Sequence, residues 1–137
     1  MTLELGNPRV RSHRDLVVWR KALRLAGDVY RITRHLPSEE RYGLASQLRR
    51  ASVSVPSNIA EGAARGRPAD FVNALRIARG SLAEVETQLQ IAAQVTPGLD
   101  LGETLSLVRD IERMLSGLIS SLSSRMKRPA ANAVSSP

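Results

Sequence analysis

Seven apolar residues set the frame for this chain. Phe71, Leu75, Ala78, Leu82, Val85, Leu89 and Ala92 recur at intervals of four, three, four, three, four and three. That alternation holds one apolar stripe along a single helix, as in coiled coils and antiparallel bundles. A stripe that long must be covered, so the chain needs other helices of similar length. Pro68 suits the first position of this helix, with Asp70 in its first turn, and Thr96-Pro97-Gly98 breaks it. Gly80 interrupts the stripe-bearing helix at about 1 kcal/mol relative to alanine, and a close backbone approach would explain it.

The preceding segment carries a puzzle. Pro56 falls inside an apolar repeat, Leu44, Leu48, Ala51, Val55, Ile59 and Ala63, spaced four, three, four, four and four. Pro56 cannot donate to the Ser52 carbonyl, and its ring crowds that carbonyl, at about 3 kcal/mol. Either the helix stops near Ser54 or it continues with a kink. The surviving face favours one kinked helix from Ser38 to about Arg65. Ser52, Ser54, Ser57 and Asn58 supply side chains able to bond freed carbonyls. The segment is also dense in small residues, among them Ala45, Ala51, Ala60, Gly62, Ala63 and Ala64. Such a helix lets neighbours approach on more than one side, as the centre of a bundle or as a subunit contact.

Two more amphipathic segments complete the set. His13 to Leu36 reads as a helix with a wide apolar face. Leu16, Trp19, Leu23, Ala26, Tyr30 and Thr33 form one stripe, and Val18, Ala22, Leu25, Val29, Ile32 and Leu36 an adjacent one. Trp19 reads as a core anchor. Pro37 ends this helix, Ser38 is placed as the next N-cap, and Glu39 and Glu40 suit the positive end of that dipole. Asp100 and Glu103 have the spacing of a capping box before a last helix built on Leu105, Val108, Ile111, Leu115, Leu118, Ile119, Leu122 and Met126. The expected fold is all-α, an up-down-up-down antiparallel four-helix bundle over residues 13–128, with the second helix kinked at Pro56. Residues 1–12 read as a flexible arm and 129–137 as a disordered tail.

The 137 residues suit one domain, and aromatics are only 3%, so the core must be aliphatic. There is no cysteine, hence no disulfide or thiolate chemistry. The N-terminus lacks an apolar signal core and no run approaches a membrane span, so a cytoplasmic protein is expected. Lys+Arg is 20 against 13 acids, a net charge of +7, which suggests an anionic partner. Only Lys21 and Lys127 are lysine, a bias that genomic base composition also produces.

Little points to catalysis. His13 and His35 are too far apart for a helical metal pair, and the Glu-x-x-His motifs of di-iron bundles are absent. No serine has a histidine at recognisable spacing. No enzyme activity, metal or cofactor is expected. Asn58 and Glu61 are three apart and share a face, and with Ser57 they could look like a site. Such a cluster reads first as structural, repairing a kink or capping a neighbour, with a functional role as the alternative. The arginines remain: Arg49, Arg50, Arg65, Arg67, Arg76 and Arg79 cluster on the second and third helices and are the candidate phosphate contacts, with a solvated, salt-bridged face as the alternative. With so few aromatics, a single-strand base-reading platform is not expected.

Several runs resemble a known family. They are Asp15-Leu16-Val17-Val18-Trp19-Arg20-Lys21-Ala22, Tyr42-Gly43-Leu44, Gln47-Leu48-Arg49-Arg50-Ala51 and Val55-Pro56-Ser57-Asn58-Ile59-Ala60-Glu61-Gly62. Phe71, Ala78-Arg79-Gly80-Ser81-Leu82, Glu84 and Gln88-Leu89 continue the match. Together they resemble the 23S rRNA-intervening-sequence protein family. The resemblance implies a four-helix bundle that assembles as a ring-like homopentamer, encoded within inserts in 23S rRNA genes or standing alone. It also implies a relation to the accessory variability determinant of diversity-generating retroelements, which works with a reverse transcriptase and nucleic acid. Family members usually carry Ser or Thr before the third helix, where this chain has Arg67-Pro68; that alters the cap and not the bundle. The residue-level reading is a non-enzymatic, basic, homo-oligomeric bundle contacting RNA or DNA. The alternatives are a scaffold docking a protein such as a reverse transcriptase, or a purely structural assembly. One expectation is immediately testable: Pro56→Ala should keep the helical circular-dichroism signal, whereas loss of the fold would show that the proline sets a turn.

Overall fold

The structure, a computed structural model, describes residues 12–127. Residues 1–11 of the arm expected over 1–12, Arg128, and the tail expected over 129–137 lie outside the described residues. Four α-helices follow one another: α1 (Val17–Thr33), α2 (Leu44–Arg65), α3 (Pro68–Val95) and α4 (Gly102–Lys127). Among the described residues there is no strand.

The first helix is shorter than its apolar pattern. His13–Asp15 forms a separate 3-10 turn, and Leu16 is extended (φ −84°, ψ 121°), so α1 opens only at Val17. At the other end the N–H groups of Arg34, His35 and Leu36 donate to carbonyls three residues back, a tightened turn that uses up the helix before Pro37. Of the two expected stripes, one is the core face: Val18, Ala22, Leu25 and Val29 are buried. Leu23 and Tyr30 of the other remain exposed, and Trp19 is only partly buried, edge-on to His13 at 4.8 Å between ring centroids.

The second helix also starts later than expected. Ser38–Glu40 is its own 3-10 turn, so Ser38 does not cap α2, and Gly43 stands at the N-cap instead. The Glu40 carboxylate still serves the helix start, accepting the Leu44 N–H at 3.4 Å. From there α2 runs unbroken through Pro56, which is buried. Gly66 closes it in the left-handed region (φ 75°), its N–H donating to the Ala63 carbonyl. Arg67 is extended and Pro68 opens α3, so only two residues separate the helices.

That short corner folds α3 back along α2. Gln47 meets Gln88, Ser54 meets Ser81, and Gly62 meets Ala74, partners whose numbers fall as the others rise. The two helices are therefore antiparallel. The α3 repeat supplies the centre of the core, with Phe71, Leu75, Ala78, Leu82, Val85, Leu89 and Ala92 all buried. Ile111 and Leu115 of α4, Leu48, Val55 and Ile59 of α2 and Leu25 of α1 close around it. Each such aliphatic side chain contributes about 1.5–3 kcal/mol by leaving water. Asp100, one residue before the N-cap position at Leu101, accepts the Gly102 N–H of α4 at 3.0 Å, without the reciprocal Glu103 bond expected of a capping box.

The close approach lies at a different glycine from the one expected. A Cβ on Gly80 would meet open space. A Cβ on Gly62 would overlap Ala74 Cβ and press on Phe71 Cδ1 at 3.3 Å. Opposite outcomes are therefore expected by chemical denaturation. Gly80→Ala should stabilise by up to about 1 kcal/mol through helix propensity. Gly62→Ala should destabilise by about 1–3 kcal/mol through overpacking, and Gly62→Ala with Ala74→Gly should recover most of that loss.

Candidate nucleic-acid interface

The core claims the apolar stripes, so the arginines are left to the outer faces. Their usefulness to a ligand depends on what each already holds. The structure sorts the six candidates into three places.

Arg65 and Arg67 sit at the α2–α3 corner, and both are engaged. Arg65 Nη2 lies 2.9 Å from Glu61 Oε1, one helical turn back, and that hydrogen bond and charge hold its pKa above the usual arginine value. Arg67 Nε lies 3.7 Å from Asp70 Oδ2. Water screens exposed pairs of this kind, so they partly neutralise the corner without binding it tightly.

Arg76 and Arg79 share a face, as their spacing indicates, and line a groove between α3 and α4. Glu86 and Glu112 line the same groove. Arg79 Nη1 donates to Ser116 Oγ at 3.3 Å, and Ser116 donates to Glu112 Oε1 at 2.8 Å. This groove is mixed in charge, and Arg79 is tied into a relay across the two helices.

Arg49 and Arg50 are placed differently. They line a groove of about 660 Å³ with Tyr30, Arg41, Tyr42, Ser46, Val53 and Ser54. No carboxylate is among these lining residues. Arg49 is half-buried and fixed: its Nε donates to Thr33 Oγ1 at 2.8 Å, and its guanidinium carbon stands 4.9 Å from the Tyr30 ring centre. Thr33 Oγ1 in turn donates to the Tyr30 carbonyl at 3.0 Å. Arg41 stands 5.6 Å from the Tyr42 ring centre. Arg50 is exposed and makes no ion pair among the described residues. Three guanidinium groups thus share a concave surface without a counter-charge on its walls.

Arg41, Tyr42 and Tyr30 were not among the residues that composition singled out. A signal for Tyr42 exists: Tyr42, Ser46, Arg49 and Val53 are spaced four, three and four, a helical stripe beside the buried one. Nothing local marks Tyr30, which comes from α1 and reaches the groove only by packing.

The run from Pro56 to Gly62 is structural in most of its members. Asn58 Nδ2 donates to the Ser54 carbonyl at 2.8 Å and to Ser54 Oγ at 2.9 Å, and Ser54 Oγ pairs with Ser81 Oγ at 2.8 Å. Ser52 Oγ turns back to the Arg49 carbonyl. These bonds fasten α2 to itself and to α3 on either side of the proline. None of them reaches the Ser52 carbonyl that Pro56 leaves without its helical donor. Glu61 is engaged by Arg65, and Ser57 is exposed. No group of three or more His, Cys, Asp or Glu among the described residues could hold a metal ion, and no described helix is long and apolar enough to cross a membrane.

A family model described as 23S rRNA-intervening sequence protein matches residues 14–117. That span runs from the turn before α1 well into α4. No curated protein matches the chain.

The contrast between two neighbouring arginines is measurable. Arg49→Gln should lower stability by about 1 kcal/mol, since it loses the Thr33 bond and the Tyr30 contact. Arg50→Gln should leave the thermal midpoint unchanged.

Proposed function

Since the chain belongs to the 23S rRNA-intervening sequence protein family, and since the groove beside α2 is lined by arginines with no carboxylate among them, we propose that it is a non-enzymatic, homo-oligomeric protein that binds RNA or DNA through phosphate contacts. The supporting observation is the groove itself: Arg41, Arg49 and Arg50 line it together, with no carboxylate in the lining. Bringing guanidinium groups together costs repulsion, which an anion relieves. A phosphodiester chain supplies such anions at regular intervals, and guanidinium binds phosphate oxygens in pairs. The net charge of +7 adds a long-range attraction.

Assembly strengthens the reading. The resemblance implies a ring of five, and repetition would place the groove several times around one particle. The bundle also leaves Ile77, Ile91 and Val95 of α3 exposed, apolar area that a neighbouring subunit would cover. Phosphate contacts position a protein but carry no base information, so affinity should depend weakly on sequence.

Two measurements test the proposal. Native mass spectrometry should give one closed species, with five subunits expected; a clean monomer overturns the assembly. Affinity for RNA or DNA should fall steeply with salt, with a log–log slope of about −0.7 to −0.9 per phosphate neutralised. Replacing Arg41, Arg50 and Arg76 with Gln should lower affinity on all sequences alike and flatten that slope. Absence of binding at low salt, or binding unchanged in the triple variant, would favour a surface that docks a protein such as a reverse transcriptase.

A further inference from the structure

Both tyrosines of the chain line the arginine groove. Tyr42 is 87% exposed, on the turn just before α2, and Tyr30 is 38% exposed on α1. An exposed tyrosine at one position is ordinary. Two in one concave surface, each with a guanidinium at its ring, form a repeated arrangement. Val53, 42% exposed, adds an apolar surface between polar walls.

We infer that the groove formed by Tyr30, Arg41, Tyr42, Arg49, Arg50 and Val53 takes unpaired nucleotides of a single strand, with a base stacked on Tyr42 and its phosphate held by the arginines. The inference rests on the phosphate-binding reading and narrows it from nucleic acid in general to unpaired segments. It departs from the expectation drawn from the low aromatic content, because packing brings both tyrosines into one groove. The chemistry is specific in two ways. A planar base offers a π-face to a tyrosine ring and to an arginine plane, whereas the bases of a duplex are already stacked on one another. A phosphate one bond away from the sugar falls within reach of the same guanidinium groups that flank the rings. A purely electrostatic surface would need no aromatic residues, and it would hold duplex and single strand through the same contacts.

The groove is also prepared for this occupant. Arg49 is already held by Thr33 Oγ1 and Tyr30, so little of its freedom is lost on binding. Apart from the Arg41 guanidinium at its ring, Tyr42 is exposed, so the remaining ring surface is available and its truncation should leave the core untouched. An acidic peptide would satisfy the arginines through its carboxylates alone and would not call for an aromatic ring beside them.

The test uses the full chain and fluorescence anisotropy at low salt. The probes are a labelled oligouridylate of about 12 nucleotides, within the usual single-strand site range, and a blunt RNA duplex of the same length. Tyr42→Ala should weaken single-strand binding about tenfold, the size expected for one lost stacking contact. Duplex binding should change by less than about twofold, and Tyr42→Phe should restore the single-strand affinity because it keeps the ring. Arg50→Gln should weaken both probes and lower the salt slope. Equal loss on both probes with Tyr42→Ala, or no loss on either, overturns the stacking while the phosphate reading stands. No binding of either probe to the unaltered protein overturns both. A changed subunit number in Tyr42→Ala identifies the groove as a contact between copies and overturns the assignment. Displacement of the strand by micromolar uridine monophosphate assigns the groove to a free nucleotide and overturns the strand.

Discussion

Gly62 has no side chain, and the α2–α3 interface depends on that absence. Its Cα faces Ala74 and Phe71 so closely that a single methyl group would overlap the neighbouring helix. The two-residue corner at Gly66 and Arg67 then leaves α3 no course but back along α2. Close approach at one end sets the spacing along the whole pair. Further along, Ser54 and Ser81 are near enough to share a hydrogen bond, and Gln47 reaches Gln88. Small residues on α2 are therefore a consequence of geometry: any larger side chain at the contact would push the seam of α3 out of the core. The cost of Pro56 is tolerated in the same setting, because the ring is buried and the Asn58–Ser54–Ser81 bonds tie the surrounding backbone to α3.

Packing the apolar stripes inward decides where the cations go, but not which of them remain available. Ion pairs do that. Glu61 and Asp70 occupy Arg65 and Arg67, and Glu112 draws Arg79 through Ser116. The groove beside α2 has no such acid in its lining, so the charges of its arginines are not neutralised there. A net charge of +7 is thus a poor guide to a binding surface until each positive group is matched with its neighbours.

The legible parts of the sequence were those with long apolar periods. The α3 repeat and the continuation of α2 through Pro56 follow from spacing that local chemistry cannot undo, and the structure has both. Boundaries were less legible. Ser38 has the chemistry of an N-cap, yet a 3-10 turn takes it and the helix waits for Gly43. His13 continues an apolar-periodic segment, yet Leu16 is extended. Of the two glycines, Gly80 looked like the close contact because it interrupts a heptad; it faces outward, where the missing side chain is not needed for packing. Interval alone does not tell which side of a helix lacks room. The groove was legible in half. Arg49 and Arg50 stand out as a basic pair, but Tyr30 joins them only through the packing of α1 on α2.

The position of the tyrosines gives the groove a logic that arginine alone would not. Arg49 over Tyr30 is held in place by a ring and a hydroxyl, so its charge is presented at a fixed point. Arg41 beside Tyr42 lies on an exposed turn and has no such anchor. One side of the groove is thus organised before a ligand arrives, and the other is free to adjust to it. For the proposed single strand, a guanidinium held at one point beside an exposed ring would suit phosphates that are regular and bases that are not. The core is built from α3 outward, and Tyr42 lies just outside the first turn of α2, where the backbone has left the helix and the packing of the bundle no longer fixes the ring.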